Sequence, residues 1–417
     1  MPINRASTMN SPNTSNHAKP ETNPLSIAIV GGGPAGLRAA EVAASSGAQV
    51  TLYEAKRSVG RKFLVAGKSG LNLTNGESFP SFLDHYQGPD IPSFFYQALK
   101  DFDNQALRHW AAELGIETYV ASSNKVFPVG MKAAPLLRRW IEKLRTLGVH
   151  FRVRHTLTQI TTTPELTLHF NHDGETLSQN HDRIILALGG GSWPSTGSDG
   201  SWVQMLNALG LHITPLTAAN CGWETLWPEA LLNEAEGLPL KNIVVHAGDR
   251  SMHGELVITR YGLEGGPIYR LGPAIKAHAS PHISIDFKPT FTTDQLVKKM
   301  ESAKRNYLQE ARTRWKLNPA AAAILENLHG PFSSTAELAR HTKSCHIPLT
   351  RPRPIEEAIS SAGGITWDNF NQSFELQSHP GIFLAGEMLD WEAPTGGFLL
   401  QSAFATGNAA AHQALNK

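Results

Sequence analysis

Three short apolar runs along the chain each lead into a glycine-rich stretch. They lie at residues 26–30, 183–188 and 380–387, and each is bounded by polar or turn-forming residues. Runs of this length are typical of fully buried strands rather than of amphipathic helices, which need an apolar stripe over ten or more residues. The pattern therefore predicts strands buried inside an α/β domain.

The first run begins a strand–helix–strand unit. Glycines dominate residues 31–36, and residues 35–46 then carry apolar side chains at helical spacing, with Gly47 as the stop signal. A second apolar strand follows at residues 50–53, and Glu54 closes it. This order of elements is that of a dinucleotide-binding unit. The glycine motif alone is weak evidence. Its position within this order of elements makes it a specific signal.

Each glycine of this motif has a separate predicted task. Gly31 makes the tight turn, Gly33 lets a pyrophosphate approach the backbone, and Gly36 lets the helix pack against the strand. The free amides at the helix start bind phosphate oxygens, and Glu54 accepts hydrogen bonds from an adenosine ribose. The alternative is a structural turn that only resembles such a site. The predicted dinucleotide ligands in this unit are Gly31, Gly33, Pro34, Ala35, Gly36 and Glu54.

The third run favours FAD over a nicotinamide dinucleotide alone. It ends in Gly386 and Glu387, and we expect the carboxylate at the end of the strand, within reach of ribityl hydroxyls. Thr395 then precedes two glycines that open a helix, whose start can face the flavin ring where negative charge gathers on reduction. A strand and helix that only complete a sheet are the alternative. The predicted flavin ligands here are Gly386, Glu387, Gly396, Gly397 and Phe398.

The second run leads into residues 189–200, which contain five glycines. We predict that Gly189 and Gly190 pass near the adenine side of the cofactor before the chain enters another domain. The glycines of this stretch do not fit the dinucleotide motif, and no acid-terminated strand follows them. The sequence therefore predicts no separate nicotinamide-binding domain.

The middle of the chain interrupts the cofactor domain and has a different pattern. Residues 201–290 contain short alternating strands, which predict a small β-barrel or an antiparallel sheet. Residues 291–355 are helical, and Thr293 is a candidate N-cap for the first of these helices. The two lobes are expected to form a substrate cleft over the flavin. The predicted domains are a disordered tail at 1–24, an FAD-binding domain at 25–200 and 356–417, and an insert at 201–355.

Positive charge is concentrated in the helical lobe of the insert. Residues 291–353 hold eleven Lys and Arg against five Asp and Glu, whereas the whole chain has a net charge of +1. A basic lobe can bind RNA, and Tyr307 and Trp315 within it can stack on bases. A solvated helix face with aromatic residues in the core gives the same pattern, so both interpretations stay open.

The remaining composition excludes several classes of protein. No run of 18 apolar residues occurs, and the first residues lack the apolar centre of a signal peptide. Only Cys221 and Cys345 occur, far apart, which suits a reducing cytoplasm. The cysteines and histidines lack the spacing of metal sites, so no metal is predicted. Cys221 is expected to be a small buried thiol, with a role as acid or nucleophile as the alternative.

These motifs resemble those of the HI0933-like flavoprotein family, which includes BaiN-type, RdsA-type and aminoacetone oxidase-like proteins. The resemblance covers residues 25–415 and is most specific at residues 60–75, GRKFLVAGKSGLNLTN. Other matching segments are residues 254–271, 361–365 and 384–398. Most relatives carry Gly-Gly-Gly-(Arg/Phe)-Cys-Asn where this chain has GKSGLN. Thiol chemistry at that position therefore does not transfer to this chain.

Residues 60–75 are predicted to form a loop that lies close to a ligand. Arg61, Lys62 and Lys68 supply positive charge beside a pyrophosphate or the N1 side of a reduced flavin. Farther along the chain, Gly364 would let the backbone approach the flavin ring. A solvated basic turn is the alternative for the first segment.

The resemblance implies a FAD-dependent oxidoreductase that transfers hydride through flavin N5, with NAD(P)H as electron donor and a small-molecule substrate. Two alternatives stay open. One is a flavoenzyme that reduces a uridine of ribosomal RNA, and the other is a flavin-bound sensor or assembly factor without turnover. No catalytic acid or base can be named from the residues.

Overall fold

The computed structural model describes residues 24–68 and 70–416, so the predicted tail at residues 1–24 lies outside the described residues except for Pro24. In chain order the strands are β1 Ser26–Val30, β2 Gln49–Glu54, β3 Thr74–Asn75, β4 Thr118–Val120, β5 Lys125–Pro128, β6 His150–Val153, β7 His155–Thr161, β8 Thr167–His172, β9 Glu175–Asn180, β10 Arg183–Leu186, β11 Ile213–Ala219, β12 Trp223–Glu224, β13 Pro239–Ala247, β14 Arg250–Thr259, β15 Gly262–Glu264, β16 His282–Asp286, β17 Cys345–Pro348, β18 Ser360–Ile365 and β19 Ile382–Leu384. The α-helices are α1 Pro34–Ser45, α2 Arg61–Ala66, α3 Ser93–Asp101, α4 Asn104–Glu113, α5 Ala133–Thr146, α6 Trp202–Ala208, α7 Glu229–Ala235, α8 Gly266–Lys276, α9 Thr293–Lys299, α10 Tyr307–Arg314, α11 Pro319–His329, α12 Thr335–Lys343 and α13 Phe398–Leu415.

A parallel sheet joins the two ends of the chain. Its order is β19-β10-β1-β2-β6, and every neighbouring pair is parallel. The three apolar runs of the sequence form β1, β10 and β19, and α1 packs with α13 beside them. Strands of such sheets are covered on both faces, which is why these runs are apolar without alternation. The predicted α/β fold is confirmed, and its parallel sheet is of the Rossmann type.

Two of the predicted strands end earlier than their apolar runs. The strand β10 ends at Leu186, and β19 ends at Leu384 rather than at Glu387. In both cases the chain then turns at a glycine with positive φ, Gly189 at 75° and Gly386 at 85°. These turns place the residues that follow along the edge of the sheet instead of within it.

The segment predicted as a loop at residues 60–75 begins with the helix α2. Gly60 precedes this helix in the left-handed conformation, with φ of 71°, and Phe63 anchors it by burying its ring in the first hydrophobic core. Residues 70–75 are irregular apart from the two-residue strand β3. The loop prediction is therefore wrong for residues 61–66, whose mixed apolar and basic sequence is compatible with one and a half helical turns.

An antiparallel sheet of six strands forms the centre of the insert, where the sequence predicted a barrel or an antiparallel sheet. The strand order is β12-β15-β14-β13-β16-β17. The helix α8 packs on β13 and β14, and α12 packs on β16 and β17. Leu256, Ile285 and Ile347 are fully buried in this second core.

The first helix of the basic lobe is capped by Thr292 and not by Thr293. The Thr292 hydroxyl accepts a hydrogen bond from the Gln295 N–H at 3.2 Å, and the Gln295 side chain accepts one from the Thr292 N–H at 2.9 Å. Two adjacent threonines are equivalent by residue type. The glutamine three residues after Thr292 completes a capping box and decides between them.

Trp315 packs in the core of the helical lobe. Its side chain is 3% exposed, and its indole N–H donates a hydrogen bond to the Leu296 carbonyl oxygen at 3.0 Å. The interpretation of Trp315 as a platform for base stacking is therefore wrong, because the ring has no free face. The alternative, aromatic residues in the core, accounts for this position.

Hydrophobic packing divides the chain into two cores. The first contains Trp202 and Leu206 of α6, whereas the second extends from Trp223 to Leu349. The antiparallel pair of β11 and β18 lies at the chain crossings between them. The division into domains at residues 200 and 356 stays a prediction.

Candidate functional site

A cavity of about 970 Å³ lies at the carboxyl edge of the parallel sheet. Its volume is near the upper end of the roughly 300–1,000 Å³ found for small-molecule and cofactor sites. The turns after β1, β10 and β19 form part of its wall, together with α2 and the start of α13. The predicted ligands that line this first cavity are Gly31, Gly33, Pro34, Ala35, Glu54, Arg61, Lys62, Gly189, Gly386, Glu387, Gly396 and Gly397.

The turn between β1 and α1 leaves open space for a ligand. A Cβ atom built on Gly33 has no neighbouring atom within 4 Å, whereas one built on Gly31 would lie 2.2 Å from the Ala187 carbonyl oxygen. The helix α1 begins at Pro34, and within the described chain no side chain caps its first amides. Those amides and the helix dipole make this turn suitable for binding an anion.

Four predicted ligands do not line the cavity. Cβ atoms built on Gly36 and Gly190 would each lie 1.9 Å from a neighbouring oxygen, and one built on Gly364 would lie 2.5 Å from a carbonyl oxygen. These glycines permit close packing of the elements around the cavity. Phe398 is fully buried in the first core.

Glu54 is held at the cavity wall by the backbone around it. Its Oε2 accepts a hydrogen bond from the Gly32 N–H at 2.9 Å, and its Oε1 accepts one from the Lys56 N–H at 2.7 Å. Burial raises the pKa of the Glu54 carboxyl, and the two N–H donors oppose that rise. Each carboxylate oxygen can accept a second hydrogen bond, so the group keeps acceptor capacity for a ligand.

Glu387 is already paired within the cavity wall. It lies in the 3₁₀ turn Gly386–Met388 that follows β19, and not at the strand end where the sequence predicted it. Its Oε2 is 2.9 Å from Lys62 Nζ, and its Oε1 accepts a hydrogen bond from the Ser361 N–H at 3.0 Å. Lys62 also donates to the Ser192 hydroxyl at 2.8 Å. The pair gives one stretch of wall both a donor and an acceptor for ligand hydroxyls.

The start of α13 is fixed by the end of the 60–75 motif. Gly397 has φ of 101°, and a Cβ atom there would lie 2.2 Å from the Thr74 carbonyl carbon. The Asn75 side-chain amide donates to the Gly396 carbonyl oxygen at 3.1 Å, and the Thr74 hydroxyl donates to Gln401 Oε1 at 2.7 Å. These polar residues therefore position the glycine turn at the cavity instead of facing the cavity themselves.

Sequence reasoning missed part of the first cavity wall. Lys125, Phe127 and Met131 also line it, and they lie on β5 or shortly after it. No local motif marks this segment. The antiparallel pairing of β5 with β3 brings it to the cavity, and that pairing is not visible in the sequence.

A second cavity of about 260 Å³ adjoins the first. His85, Arg270 and Glu392 lie in its wall, and sequence reasoning identified none of them as site residues. Cys221 is buried in the same wall. Burial raises the pKa of its thiol, with Lys276 opposing the rise, which fits the small buried thiol that the sequence favoured.

Among the residues that the structure describes, no group of three or more His, Cys, Asp or Glu side chains is arranged to hold a metal ion. Within the same residues, no helix combines the length and apolar character needed to cross a bilayer. Both cysteines are free and buried. The cytoplasmic location stays a prediction.

Comparison with known proteins gives a family match and several relatives. Residues 25–413 match the family described as the HI0933-like protein Rossmann domain. A 3-dehydro-bile acid delta(4,6)-reductase from Clostridium scindens is 28% identical, over 94% of this chain and 99% of its own length. A ribosomal RNA dihydrouridine synthase from Escherichia coli is 22% identical, over 92% of this chain and 96% of its own length.

A solved structure shares the fold. The 3-ketosteroid-delta4-(5alpha)-dehydrogenase from Rhodococcus jostii RHA1 superposes with a TM-score of 0.52 and 16% identity, and the match covers 97% of this chain and 99% of that one. At this level of identity the likeness concerns the fold alone.

Proposed function

The chain belongs to the family of HI0933-like proteins, and from this premise we propose that it is a FAD-dependent oxidoreductase acting on a small molecule. One observation carries the proposal. An open glycine turn, a helix start and a fixed carboxylate meet in one cavity at the carboxyl edge of a parallel sheet. Dinucleotides bind in this arrangement in open α/β sheets.

The residues of the first cavity fit the parts of FAD. The amides after Gly33 would hold the pyrophosphate, and Glu54 would accept hydrogen bonds from the adenosine ribose. Lys62 and Glu387 would meet the ribityl hydroxyls, as donor and acceptor. The glycine turn before α13, at Gly397, would approach the flavin ring. Bound FAD supplies hydride transfer at flavin N5.

We propose reduction of the substrate as the direction of reaction, with NAD(P)H as electron donor. The relative matched over 94% of this chain is a reductase, which supports this direction. In the described chain, one strand–helix–strand unit carries the dinucleotide motif, so a nicotinamide nucleotide would bind transiently at the flavin. Anaerobic mixing with NADH and with NADPH tests the donor. Bleaching of the flavin absorbance supports it, and an unchanged spectrum with both contradicts it.

An RNA substrate has weaker support. It rests on the name of the E. coli relative and on the net positive charge of residues 291–353. Acidic residues outside this range balance part of that excess, since Lys343 lies 2.6 Å from Asp286 and Arg353 lies 2.7 Å from Glu224. Cations paired in this way attract phosphates less than free ones. A small molecule is therefore the proposed substrate.

A flavin-bound sensor or assembly factor without turnover stays an alternative of another class. Multiple turnover separates the two proposals. Reoxidation of the reduced flavin by a small-molecule acceptor supports an enzyme. A sensor is supported if a protein partner alters the reduction of the flavin and no small-molecule acceptor reoxidises it.

Release of the cofactor tests the proposed function directly. The purified protein should be yellow, and denaturation should release FAD and not FMN, because FMN lacks the adenosine that Glu54 would hold. Released FMN, or no bound flavin after reconstitution with FAD, would contradict the proposal.

A further inference from the structure

One loop contributes residues to the walls of both cavities. Trp391, Thr395 and Gly396 of this loop line the first cavity, whereas the intervening residues 392–394 line the second. The two cavities therefore share this loop as part of their walls.

Asn220 holds this shared loop in place. Its side-chain amide donates to the Ala393 carbonyl oxygen at 2.8 Å, and its Oδ1 accepts from the Thr395 N–H at 3.1 Å. The same amide donates to the Ser360 hydroxyl at 2.8 Å, at the start of β18. Asn220 thus fixes the shared loop to the start of β18 through these three hydrogen bonds.

Arg270 on α8 brings a positive charge to the second cavity. Arg270 as a whole is partly buried, and its guanidinium makes no hydrogen bond or ion pair with any residue in the ranges 24–68 and 70–416. It reaches the shared loop, because a Cβ atom built on Gly396 would lie 3.5 Å from its Nη2. A partly buried charge without a partner is unfavourable unless a ligand neutralises it. The planar N–H groups of arginine suit bidentate binding of a carboxylate.

The other charges around the cavity also favour an anion. Arg250 and Lys276 line it, and Glu392 is the acidic side chain among the described lining residues. Burial raises the pKa of Glu392, with Lys276 opposing the rise. In its neutral form Glu392 would donate a hydrogen bond to a bound carboxylate instead of repelling it.

We propose that the second cavity binds the carboxylate of a small organic substrate, with Arg270 as the ligand of that carboxylate. This assignment rests on the proposed function, since the substrate of a flavoenzyme must lie beside the flavin. The volume of about 260 Å³ is below the roughly 300 Å³ at which drug-sized sites begin, so the enclosed ligand is small. Trp223, Met252 and Tyr269 give the wall an apolar and aromatic part that suits a flat apolar body.

Benzoate is a suitable probe, because it joins a carboxylate to a small flat ring, and benzamide keeps that shape without the charge. Calorimetric titration of the FAD-loaded protein should give saturable benzoate binding with a dissociation constant of about 1 mM or tighter. Benzamide should bind about tenfold or more weakly. Benzoate should also perturb the absorption spectrum of the bound flavin, because the two cavities share a loop.

Substitution of the proposed ligand locates the binding. Arg270→Gln should weaken benzoate binding about ten- to hundredfold and leave benzamide binding unchanged. The matched control is Arg260→Gln. Arg260 lies outside the cavity, where it pairs with Glu236 at 3.1 Å on the surface, and this variant should bind benzoate like the parent.

The outcomes separate this inference from the proposed function. Equal affinities for benzoate and benzamide, or parent-like benzoate binding by Arg270→Gln, would overturn the carboxylate site. A protein that retains FAD but does not bind benzoate would overturn that site alone. Benzoate binding by a protein that cannot hold FAD would overturn the proposed flavoenzyme and with it the role of the cavity as a substrate pocket.

Discussion

The wall of the first cavity is rich in glycine, whereas side chains from several separate segments make up most of the wall of the second. Among the described residues, ten glycines line the first cavity and one lines the second. A wall of glycines works by leaving out side chains, so that a ligand can approach amides and carbonyl oxygens. The wall of the second cavity instead offers a ligand the positive charge of Arg270. The position of that charge depends on the packing of α8 against the six-stranded sheet.

This difference affects how each cavity tolerates substitution. At a backbone site, an added methyl group removes the ligand without disturbing the fold wherever the glycine faces open space. At a side-chain site, truncation removes one interaction and leaves the remaining wall intact.

The largest effect is expected for Gly33→Val. Its Cβ would project into the open space of the first cavity, so we expect the fold to persist and FAD retention to fall to about a tenth or less. Flavin absorbance per protein and the thermal unfolding of the apoprotein measure the two properties. Gly266→Ala is the control, because a Cβ there also meets no atom within 4 Å but lies outside the cavity. Normal FAD content in Gly33→Val would show that the turn has only a structural role.

The next effect concerns a side chain within the glycine-rich first cavity. Glu387→Ala removes the acceptor that we propose for the ribityl hydroxyls and should weaken FAD binding about ten- to hundredfold, since hydrogen bonds to charged groups are worth roughly 1.5–3 kcal/mol. Titration of the apoprotein with FAD measures this. Lys62→Met separates the contribution of the ion pair from that of the carboxylate. An affinity of Glu387→Ala within twofold of the parent would assign Glu387 to support of the wall.

A smaller effect is expected in the second cavity, where Glu392 links stability to pH. Burial raises the folded-state pKa of this carboxyl. The stabilisation is then fully present below the unfolded-state pKa and is lost as the pH rises through the folded-state pKa. The free energy of unfolding of the parent, relative to Glu392→Gln, should therefore fall as the pH rises from the usual pKa of a glutamate through the raised folded-state pKa.

Glu337, whose folded-state pKa is lowered, is the control for the direction in which stability changes with pH. Hydrogen bonds from Ser333 lower the pKa of Glu337, so its contribution is lost as the pH falls through the folded-state pKa. The parent should then lose stability relative to Glu337→Gln on the acid side. A Glu392 profile that is flat, or that slopes like that of Glu337, would contradict the burial of the Glu392 carboxyl. Urea unfolding at a series of pH values measures all three proteins.

The smallest effect is expected on the basic lobe. Joint replacement of Lys304, Arg305 and Arg312 by Gln should leave FAD content and flavin reduction unchanged, because these residues lie in the insert and line neither cavity. Under the small-molecule proposal, RNA binding should also be negligible at about 50 mM salt in parent and variant alike. The ribosomal RNA alternative would be favoured if the parent binds RNA strongly and the variant binds it more weakly, with an affinity that depends less on salt concentration.

The sequence predicted the parts of the molecule that depend on local rules. The spacing from Gly31 to Glu54 combines a turn, a helix start and a strand end. Each of these is decided by neighbouring residues, so the elements were predictable to within one or two positions. Glu387 was correctly associated with β19 but was expected in the strand, because an apolar run does not show where a chain leaves a sheet.

The rest could not be predicted because it depends on contacts between distant segments. Arg270 lies between apolar residues of α8 and resembles any cation at a helix surface in the sequence alone. Its position next to Gly396 results from the packing of the insert on the loop after β19. Glu392 follows a tryptophan in a segment where its neighbours gave no sign of burial. These residues are far apart along the chain, so they form no sequence motif by which the second cavity could be predicted.

The loop held by Asn220 has a thermodynamic consequence. Because the same backbone forms a wall of both cavities, any ligand that displaces it changes the affinity of the other site. Linkage requires this effect to be reciprocal: the factor by which the cofactor alters substrate affinity equals the factor by which the substrate alters cofactor affinity. Replacement of Asn220, which lines the second cavity and holds the shared loop, should therefore alter the cooperativity between the two ligands.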